Sequence, residues 1–585
     1  MARLGQPARV ALIGLAALIL VAGALELTRT GYSVDEEFTV FAVRGIQAEG
    51  LPLLPSRLLY DRGLAYSYAS WMAGALSRTE LPAFRTLSLL TALASALIVF
   101  AIVRRLATER AALLAALLVV ASLPFWTTAT SGRFYAPFLA VYLIGLYLMS
   151  LIHAGALTRR IVVSLVLTAA IGRWLHELEF TAAGIPMLCA VFGPRLDRRK
   201  WLVATTAVLV GLAAAQATLL VLHALAPGNG ETMVRRFFLW QVLNLFEVPA
   251  DRQYGVVLAA MVLSWLIVPR RAALATVLAF CGAAMVIAFS LARATNVGPI
   301  NLALVAAVLS EGARYPLDMF RHIAAVNPVA MAAVLAGLVA RLAGVGGEWK
   351  PHERTAHWLW MFWVLWFGAI DSGITSNYLL LPVAFMMIAI AIDVDAIVGH
   401  YLPPVSATSR RFGIAVISLV AIAVAVDQWR GTGSPAARLE VARPTIEVTG
   451  IDEVRAGIQP TDRIACTDEL ACLLLVGRID RWLALDDFVR ERFLVTLRNG
   501  TAAGVYTGAP AVFRPGDLFS PNADGTLPDR VFVVDVFKDY PIGSSRSWLP
   551  RAIELDGLQV TPLLETSQAR VLQISPPERN AFRNP

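Results

Sequence analysis

Charged side chains are scarce in this sequence. Of its 585 residues only 16% are charged, whereas 57% are hydrophobic, and the mean hydropathy is +0.64. A soluble domain carries about 25% charged residues, so this chain has too few to cover a water-facing surface. The composition therefore excludes an ordinary soluble protein.

The usual catalytic signatures are missing as well. The sequence has no Walker A loop, HExxH, CxxC pair or GxSxG, and no GxGxxG follows a strand. An ATP-driven pump and a soluble-type hydrolase joined to the membrane therefore lose support. Cysteines number only four, and the sequence leaves open whether Cys466 and Cys472, both in the polar tail, form a disulfide.

Long uncharged runs fill the chain up to residue 427. Runs such as 111–130 and 202–222 can cross, or nearly cross, a hydrocarbon core of roughly 30 Å as helices, the only form in which such runs satisfy their backbone in lipid. The sequence thus predicts a polytopic α-helical membrane protein with about 13 transmembrane helices. The predicted spans are 9–27, 83–103, 111–130, 136–153, 161–174, 180–194, 201–225, 254–269, 272–292, 327–343, 356–371, 378–396 and 412–427.

The basic residues indicate the orientation of these spans. They gather in alternate short loops, as at Arg104 and Arg105 or Arg198 and Arg199, which the positive-inside rule places in the cytoplasm. The net charge of +8 therefore reports topology and not a nucleic-acid partner. An odd number of spans starting inside puts the tail outside, in a multi-pass protein of the cell inner (plasma) membrane.

The tail, 428–585, has a different composition and is predicted to be an extracytoplasmic α/β domain. Short apolar runs between turn residues predict strands in "DRIACTD", "LLLVGRIDRWLAL", "GVYTGAPAVFR", "RVFVVDVF" and "ARVLQI", and "LDDFVRERFLVTLRNG" predicts a helix. Residues 1–427 then form the transmembrane domain.

A long external loop, 28–82, follows the first span and holds the stretch "GYSVDEEFTV". Its carboxylates Asp35, Glu36 and Glu37 either solvate the span exit or carry chemistry, and position alone favours neither. Apolar residues then recur at helical spacing, which predicts a helix lying in the membrane interface. They are Phe38, Phe41, Ala42, Gly45 and Ile46. A second interfacial helix is predicted in 229–253, and a third external loop covers 293–326.

Several arginines lie on the predicted outer side, where topology does not require them. These are Arg57, Arg62, Arg133, Arg173, Arg293 and Arg314. The planar guanidinium fork suits the phosphate of an anionic lipid. Arg133 and Arg314 are the leading phosphate candidates because each lies close to a tyrosine, Tyr135 or Tyr315. His176 either lines such a site or forms a satisfied polar pair with its neighbour Glu177.

An acidic pair after the first span, in a long external loop, resembles the GT-C superfamily of membrane glycosyltransferases. The sequence is most similar to the group of protein O-mannosyltransferases and lipid A aminoarabinose transferases. "SGRFYAPFLAVYL" (131–143), "SNYLLLPVAF" (376–385) and "DRIACTDELACLLLVGRIDRWL" (462–483) add to the resemblance. The second of these departs from its relatives, since Asn377 precedes Tyr378 where they often carry Arg.

The resemblance implies inverting transfer of a sugar from a polyprenyl-phosphate donor, in the membrane lipid, to an extracytoplasmic acceptor. Asp35 would be the base, and Glu36 would orient the acceptor or position a metal; a divalent cation is left open because relatives differ in metal need. Residues implied for the donor phosphate are Arg133, Arg314, Arg57, Arg62 and Tyr378, and those implied for substrate are Tyr135, Arg173, His176 and Tyr315. The tail would restrict acceptor access.

Two other classes of protein fit parts of the pattern. A transporter or flippase of a lipid-linked or anionic solute would also need arginines, but it commonly has ionisable groups near mid-span and internal repeats. An assembly scaffold with an external binding domain is the second. Turnover of the donor distinguishes the enzyme from both.

Overall fold

The computed structural model describes a defined set of residues. They are 5–27, 31–33, 35–183, 186, 198–226, 320–321, 323–324, 327–346, 356–357, 359–361, 363–364, 379–401, 407–429, 445–446, 450–485, 490, 493–497, 500–521, 525–536, 548–566 and 569–575. The predicted spans 254–269 and 272–292, the loop 229–253 and most of 293–326 lie outside the described residues. Helices and strands are numbered within them.

The N-terminal part is helical. Its helices are α1 (Gln6–Leu27), α2 (Glu36–Glu49), α3 (Leu64–Ser77), α4 (Leu81–Leu106), α5 (Glu109–Ala121), α6 (Leu123–Ala129), α7 (Tyr135–His153), α8 (Arg159–Leu175), α9 (Arg198–Leu225), α10 (Pro328–Leu342), α11 (Leu380–Tyr401) and α12 (Ala407–Gln428), with a 3-10 helix at Glu177–Ala183.

Five described helices, α1, α4, α7, α9 and α11, are long and apolar enough to cross a membrane. The pair α5 and α6 makes a sixth if it counts as one span. Large apolar side chains such as Ile13, Leu25 and Val221 are exposed on these helices, as lipid-facing surfaces require. A membrane protein with several apolar spans is thus confirmed, and the count of about 13 stays a prediction.

The predicted span 111–130 is two helices rather than one. The axes of α5 and α6 differ by 66°, and the break lies at Ser122, whose backbone is extended. Pro124 in the first turn of α6 lacks an amide hydrogen and cannot continue the preceding helix. After α6 a short turn carries Gly132 and Arg133 into α7.

The predicted interfacial helix exists as α2, but its apolar face meets protein and not lipid. Phe41 and Ala42 pack against Leu470, Val495 and other residues of the tail. The face next to it packs against the start of α4. The periodicity marked a buried stripe correctly, but helical spacing does not reveal which surface covers the stripe.

The tail contains an α/β unit. Its elements are β2 (Thr445–Ile446), α13 (Ile451–Gly457), β3 (Arg463–Cys466), α14 (Glu469–Val476), β4 (Arg481–Leu483), β5 (Leu494–Thr496), β6 (Ala502–Gly504), β7 (Ala511–Val512), β8 (Val531–Val536), α15 (Trp548–Leu555), β9 (Gln559–Glu565) and β10 (Ala569–Ser575). Six strands form one sheet in the order β7-β4-β3-β8-β10-β9. The first four are parallel, and β10 is antiparallel to both neighbours. Apolar clusters on both faces bury the sheet.

Two local predictions in the tail were wrong. The run "LLLV" belongs to helix α14, because Asp468 caps its first turn and Gly477, with φ of 84°, ends it. The run predicted as a helix at 485–500 contains strand β5, which pairs with β6. Cys466 and Cys472 form a disulfide from the end of β3 into α14.

The tail is docked on the long loop that follows α1. A short strand β1 (Tyr32–Ser33) pairs with β2, so both segments share one two-stranded sheet. The Ser56 amide donates to the Tyr506 carbonyl at 3.0 Å. Together with the apolar cluster between α2 and the tail, these contacts fix the tail against the residues that follow the first span.

Candidate active site

Asp35 lies immediately before α2 in the left-handed backbone region, with φ of 73°. Aspartate is among the few non-glycine residues that tolerate this conformation, and such backbones cluster at functional sites. The half-buried side chain does not cap α2 and accepts no hydrogen bond from the described residues. Its carboxylate is therefore available to an incoming group.

Glu36 is fully buried, and both of its oxygens accept hydrogen bonds. Arg85 of α4 donates from Nε to Oε1 at 2.9 Å and from Nη2 to Oε2 at 2.6 Å. The Ser33 amide donates to Oε2 at 2.8 Å and the Gly132 amide to Oε1 at 2.6 Å. This bidentate pair ties the segment before α2 to α4 and to the turn that carries Arg133.

Glu37 is a third carboxyl group beside Asp35. It is buried, and its Oε2 atom has no hydrogen-bond partner among the described residues. Burial, and then the charges of Asp468 and Asp35, raise the pKa of Glu37 well above its usual range. The protonated form of Glu37 is thus favoured relative to an exposed glutamate.

Arg133 lies in the α6–α7 turn and is buried among aromatic rings. Its Nη1 atom donates to the Tyr60 hydroxyl at 2.7 Å. Its guanidinium carbon lies 4.7 Å from the ring centre of Phe134, 5.6 Å from Phe38 and 5.9 Å from Tyr135. The Arg133 Nε atom has no partner among the described residues. A buried cation with an unused donor suits an anionic ligand.

The surroundings of this arginine are closely packed. A Cβ atom at Gly63, whose φ is 74°, would lie 2.4 Å from the Phe134 ring, so only glycine fits there. The Ser88 hydroxyl donates to the Arg133 carbonyl at 3.0 Å. Burial raises the pKa of Tyr60 to about 12 despite the nearby guanidinium, so Tyr60 stays neutral and accepts from Arg133.

The tail contributes Asp468 and Tyr506 to the same place. Asp468 accepts a hydrogen bond from the Ala471 amide at 2.9 Å, which caps α14. Burial, aided by the charge of Asp35, raises the pKa of Asp468 to about 6. The Tyr506 ring lies edge-on to Phe38 at 4.8 Å. Sequence reasoning missed both residues, although a capping Asp directly after a strand was a readable signal.

Arg62, His176 and Tyr135 also lie in this region. Arg62 Nη2 is 2.8 Å from Glu177 Oε1. The His176 ring lies 5.3 Å from Phe134 and 6.1 Å from Tyr135. Burial lowers the pKa of His176 to about 4, so the ring is neutral, and its Nδ1 atom accepts from the Leu178 amide at 3.1 Å.

Two other arginines that the sequence proposed for the site, Arg57 and Arg173, pair with residues away from Arg133. Arg57 forms an exposed ion pair with Glu49 at the end of α2. Arg173 donates to Gln216 Oε1 of α9 at 2.9 and 3.2 Å. The predicted site residues Arg314, Tyr315 and Tyr378 lie outside the described residues.

No group of three His, Cys, Asp or Glu side chains within the described ranges is arranged to hold a metal ion. Glu36, the carboxylate for which the sequence allowed a metal, is occupied by Arg85 and two amides.

Comparison with known proteins gives similarity in structure only. No family model matches the chain, and no curated protein matches it. Among solved structures, the oligosaccharyltransferase AglB of Archaeoglobus fulgidus, in complex with an inhibitory peptide and a dolichol-phosphate, is 12% identical. The match covers 99% of this chain and 75% of AglB with a TM-score of 0.51.

Two further structures are similar. AglB with zinc and sulfate is 12% identical over 96% of this chain and 72% of that one, with a TM-score of 0.50. ArnT of Cupriavidus metallidurans bound to undecaprenyl phosphate is 13% identical over 96% and 97% of the two chains, with a TM-score of 0.46. The two AglB structures, with TM-scores of 0.51 and 0.50, show that this chain shares their fold, as the resemblance in the sequence implied.

Proposed function

We propose that this protein is a glycosyltransferase that moves a sugar from a polyprenyl-phosphate donor to an acceptor outside the cytoplasm. One observation carries the proposal. Asp35 is a carboxylate held in a left-handed backbone, and Arg133 is a buried arginine. The two lie within range of each other's charge where the loop after the first span, the α6–α7 turn and the tail join.

The two residues supply complementary halves of an inverting transfer. Asp35 takes the proton of the acceptor hydroxyl as its oxygen forms a bond to the anomeric carbon of the sugar. The bond from that carbon to the phosphate oxygen breaks, and the lipid phosphate leaves with the electron pair. Arg133 stabilises the negative charge that develops there. Both groups act in a partly water-excluded place, which strengthens the charge interactions.

The other predicted residues receive narrower roles. Glu36 accepts four hydrogen bonds. We propose that it positions the loop and Arg133 and that it does not contact an acceptor or a metal. Arg62, His176 and Tyr135 are proposed to line the donor side of the site. We propose Arg57 and Arg173 only as secondary contacts, Arg57 to the phosphate of the lipid-linked sugar and Arg173 to the substrate, because each already pairs with another side chain.

The fold likeness supports the choice of donor. AglB has been solved with a dolichol-phosphate, a lipid of the class proposed here. We further propose that the chain divides at residue 427 into a transmembrane and an extracytoplasmic domain. The basic loops support an inner-membrane protein of about 13 spans with the site facing outward.

Donor turnover by the purified full chain tests the function. In lipid nanodiscs with radiolabelled polyprenyl-phosphate sugars and a lipid and cell-envelope extract as acceptor source, the wild type is expected to cleave the donor and label an acceptor. In sealed vesicles, movement of intact donor across the bilayer without cleavage would contradict the proposal and identify a flippase. The same assay with and without EDTA measures metal dependence.

Arg133→Lys tests the phosphate contact. Lysine keeps the charge but loses the planar fork, so donor affinity should fall about tenfold, the equivalent of roughly 1.4 kcal/mol. Arg78→Lys, at an exposed residue after α3, is the matched control. Unchanged donor affinity in both Arg133→Lys and Arg133→Ala would remove Arg133 from the site.

A further inference from the structure

The carboxyl end of strand β3 in the tail lies near Asp35. In parallel sheets, ligands bind beyond the carboxyl ends of strands, next to the point where chain connections leave in opposite directions. Strand β3 has β4 on one side and β8 on the other, so it lies at such a point. Asp468 follows β3 by two residues, and its charge and that of Asp35 act on Glu37.

Asp468 is held in a fixed orientation. Its side chain caps α14, and the disulfide between Cys466 and Cys472 encloses it in a short loop. Helix α14 is itself anchored on α2, where Leu470 packs against Phe41. A half-buried carboxylate restrained in this way is organised to accept a hydrogen bond from a ligand.

Tyr506 and two aromatic residues of the first loop form a continuous group of rings within range of the charge of Asp35. Phe38 is stacked on Tyr60 with ring centres 5.5 Å apart and meets Tyr506 edge-on at 4.8 Å. The Tyr506 backbone is fixed by the Ser56 amide. The tail and the loop thus supply one aromatic wall between them.

A buried polar atom points to a ligand at the same place. Glu37 is 2% exposed, and its Oε2 atom is unpartnered among the described residues, although the charges of Asp35 and Asp468 both reach it. Buried carboxyl oxygens are nearly always hydrogen-bonded in native proteins. An incoming hydroxyl network would satisfy it.

The charges of this wall select against an anionic acceptor. Asp35 and Asp468 place two carboxylates here, and because Arg133 is assigned to the donor phosphate, an acceptor that carried a phosphate of its own would be repelled. Carboxylates accept hydrogen bonds from hydroxyl groups, and flat rings pack against apolar C–H faces. A sugar ring presents both features on its two sides.

We infer that the C-terminal domain forms the acceptor subsite through Asp468 and Tyr506, and that the acceptor is an uncharged sugar unit of a glycan. This rests on the proposed glycosyl transfer and specifies its acceptor class. Asp468 binds acceptor hydroxyls, and Tyr506 positions the sugar ring. Asp35 accepts the proton of the acceptor hydroxyl.

The test separates acceptor binding from donor chemistry. The full chain is assayed with radiolabelled donor and three soluble probes: a methyl hexopyranoside, a hexose phosphate and a neutral peptide containing Ser and Thr. Transfer to the methyl hexopyranoside is expected in preference to the other two. Asp468→Asn, which keeps the helix cap, should raise the KM for this acceptor about tenfold, a larger change than its effect on kcat. Tyr506→Leu should act in the same direction.

The matched control is Asp452→Asn, at an exposed residue of α13. Preference for the peptide or the hexose phosphate would overturn the inference, and so would an unchanged acceptor KM in Asp468→Asn. Saturation-transfer NMR of the methyl hexopyranoside on the full chain measures the subsite without a donor. Binding that is lost in Asp468→Asn would uphold the subsite even if no donor were cleaved, a result that defeats only the proposed transfer.

Discussion

At the scale of single residues, the Glu36–Arg85 ion pair holds the site together. Both side chains are essentially inaccessible, at 0% and 1% exposure. Removing one partner of a buried pair leaves an unpaired charge, which costs about 3–5 kcal/mol. Glu36→Gln should therefore lower the melting temperature of the purified protein strongly, and it should lower transfer through the misplaced Gly132 and Arg133 turn.

The exposed pair between Arg44 and Glu80 offers a matched comparison. Its atoms are 3.1 Å apart at the surface, where such pairs contribute about 0–1 kcal/mol. Glu80→Gln should therefore leave melting nearly unchanged. A Glu36→Gln protein that melts like the wild type but has lost transfer would contradict the structural role and restore the catalytic one that the sequence predicts.

Glu469 makes stability depend on pH. The residue is buried in α14 beneath Thr507, and burial raises its pKa from 4.5 to about 7. Between these values the folded chain binds more protons than the unfolded chain, so the free energy of unfolding falls as pH rises through about 4.5 to 7. Asp468, with its pKa raised to about 6, adds to the same trend at lower pH.

Glu469→Gln should remove most of this dependence above pH 6. The variant keeps an oxygen for Thr507 but carries no charge, so thermal unfolding at pH 7.5 should occur at a higher temperature than in the wild type. Glu453→Gln, exposed on α13, is the control. Parallel melting curves for wild type and Glu469→Gln from pH 5 to 7.5 would refute the assignment.

At the scale of elements, helix α2 depends on the tail. Phe41, Leu54 and Leu58 of the first loop are buried against tail residues that include Val505. A truncation near residue 435 would expose this apolar surface next to the membrane. The truncated chain should therefore show aggregation or early unfolding in size-exclusion chromatography, contrary to the expectation from sequence of a tail that only limits access. A monodisperse truncated protein with full donor hydrolysis would contradict this account of α2.

The sequence predicted elements where local physics decides them. The length of uninterrupted hydrophobic runs correctly predicted helices α4, α7 and α11. Short apolar runs between turn residues correctly predicted strands β3, β8 and β10. The predictions from sequence failed where a helix cap or a pairing strand determines the structure more strongly than the local composition does. Leu473 to Val476 looked like a strand, but the Asp468 cap makes them helical, and Pro124 divides a run that looked like one span.

At the scale of the whole molecule, the site is assembled from segments far apart in sequence. Asp35, Arg133 and Asp468 come from the first loop, the α6–α7 turn and the tail. Sequence reasoning proposed Arg133 because topology does not require arginines at predicted external ends, and it proposed Asp35 because of the resemblance to GT-C glycosyltransferases. Asp468 was readable as a helix cap, but its place near Asp35 arises only when the tail docks, as does that of Tyr506, and the role of Arg85 arises only when it reaches Glu36.

Asp35→Asn gives the most direct measurement of the central claim. The substitution keeps the size of the side chain and removes its basicity, and asparagine tolerates the left-handed backbone at this residue. General-base assistance is typically worth about 10² to 10⁴ in rate. We predict that the purified variant melts like the wild type and binds the polyprenyl-phosphate donor with similar affinity, but transfers radiolabelled sugar at least about a hundredfold more slowly. Wild-type transfer by a folded Asp35→Asn protein would contradict the account and leave Asp35 as a solvated residue at a membrane exit.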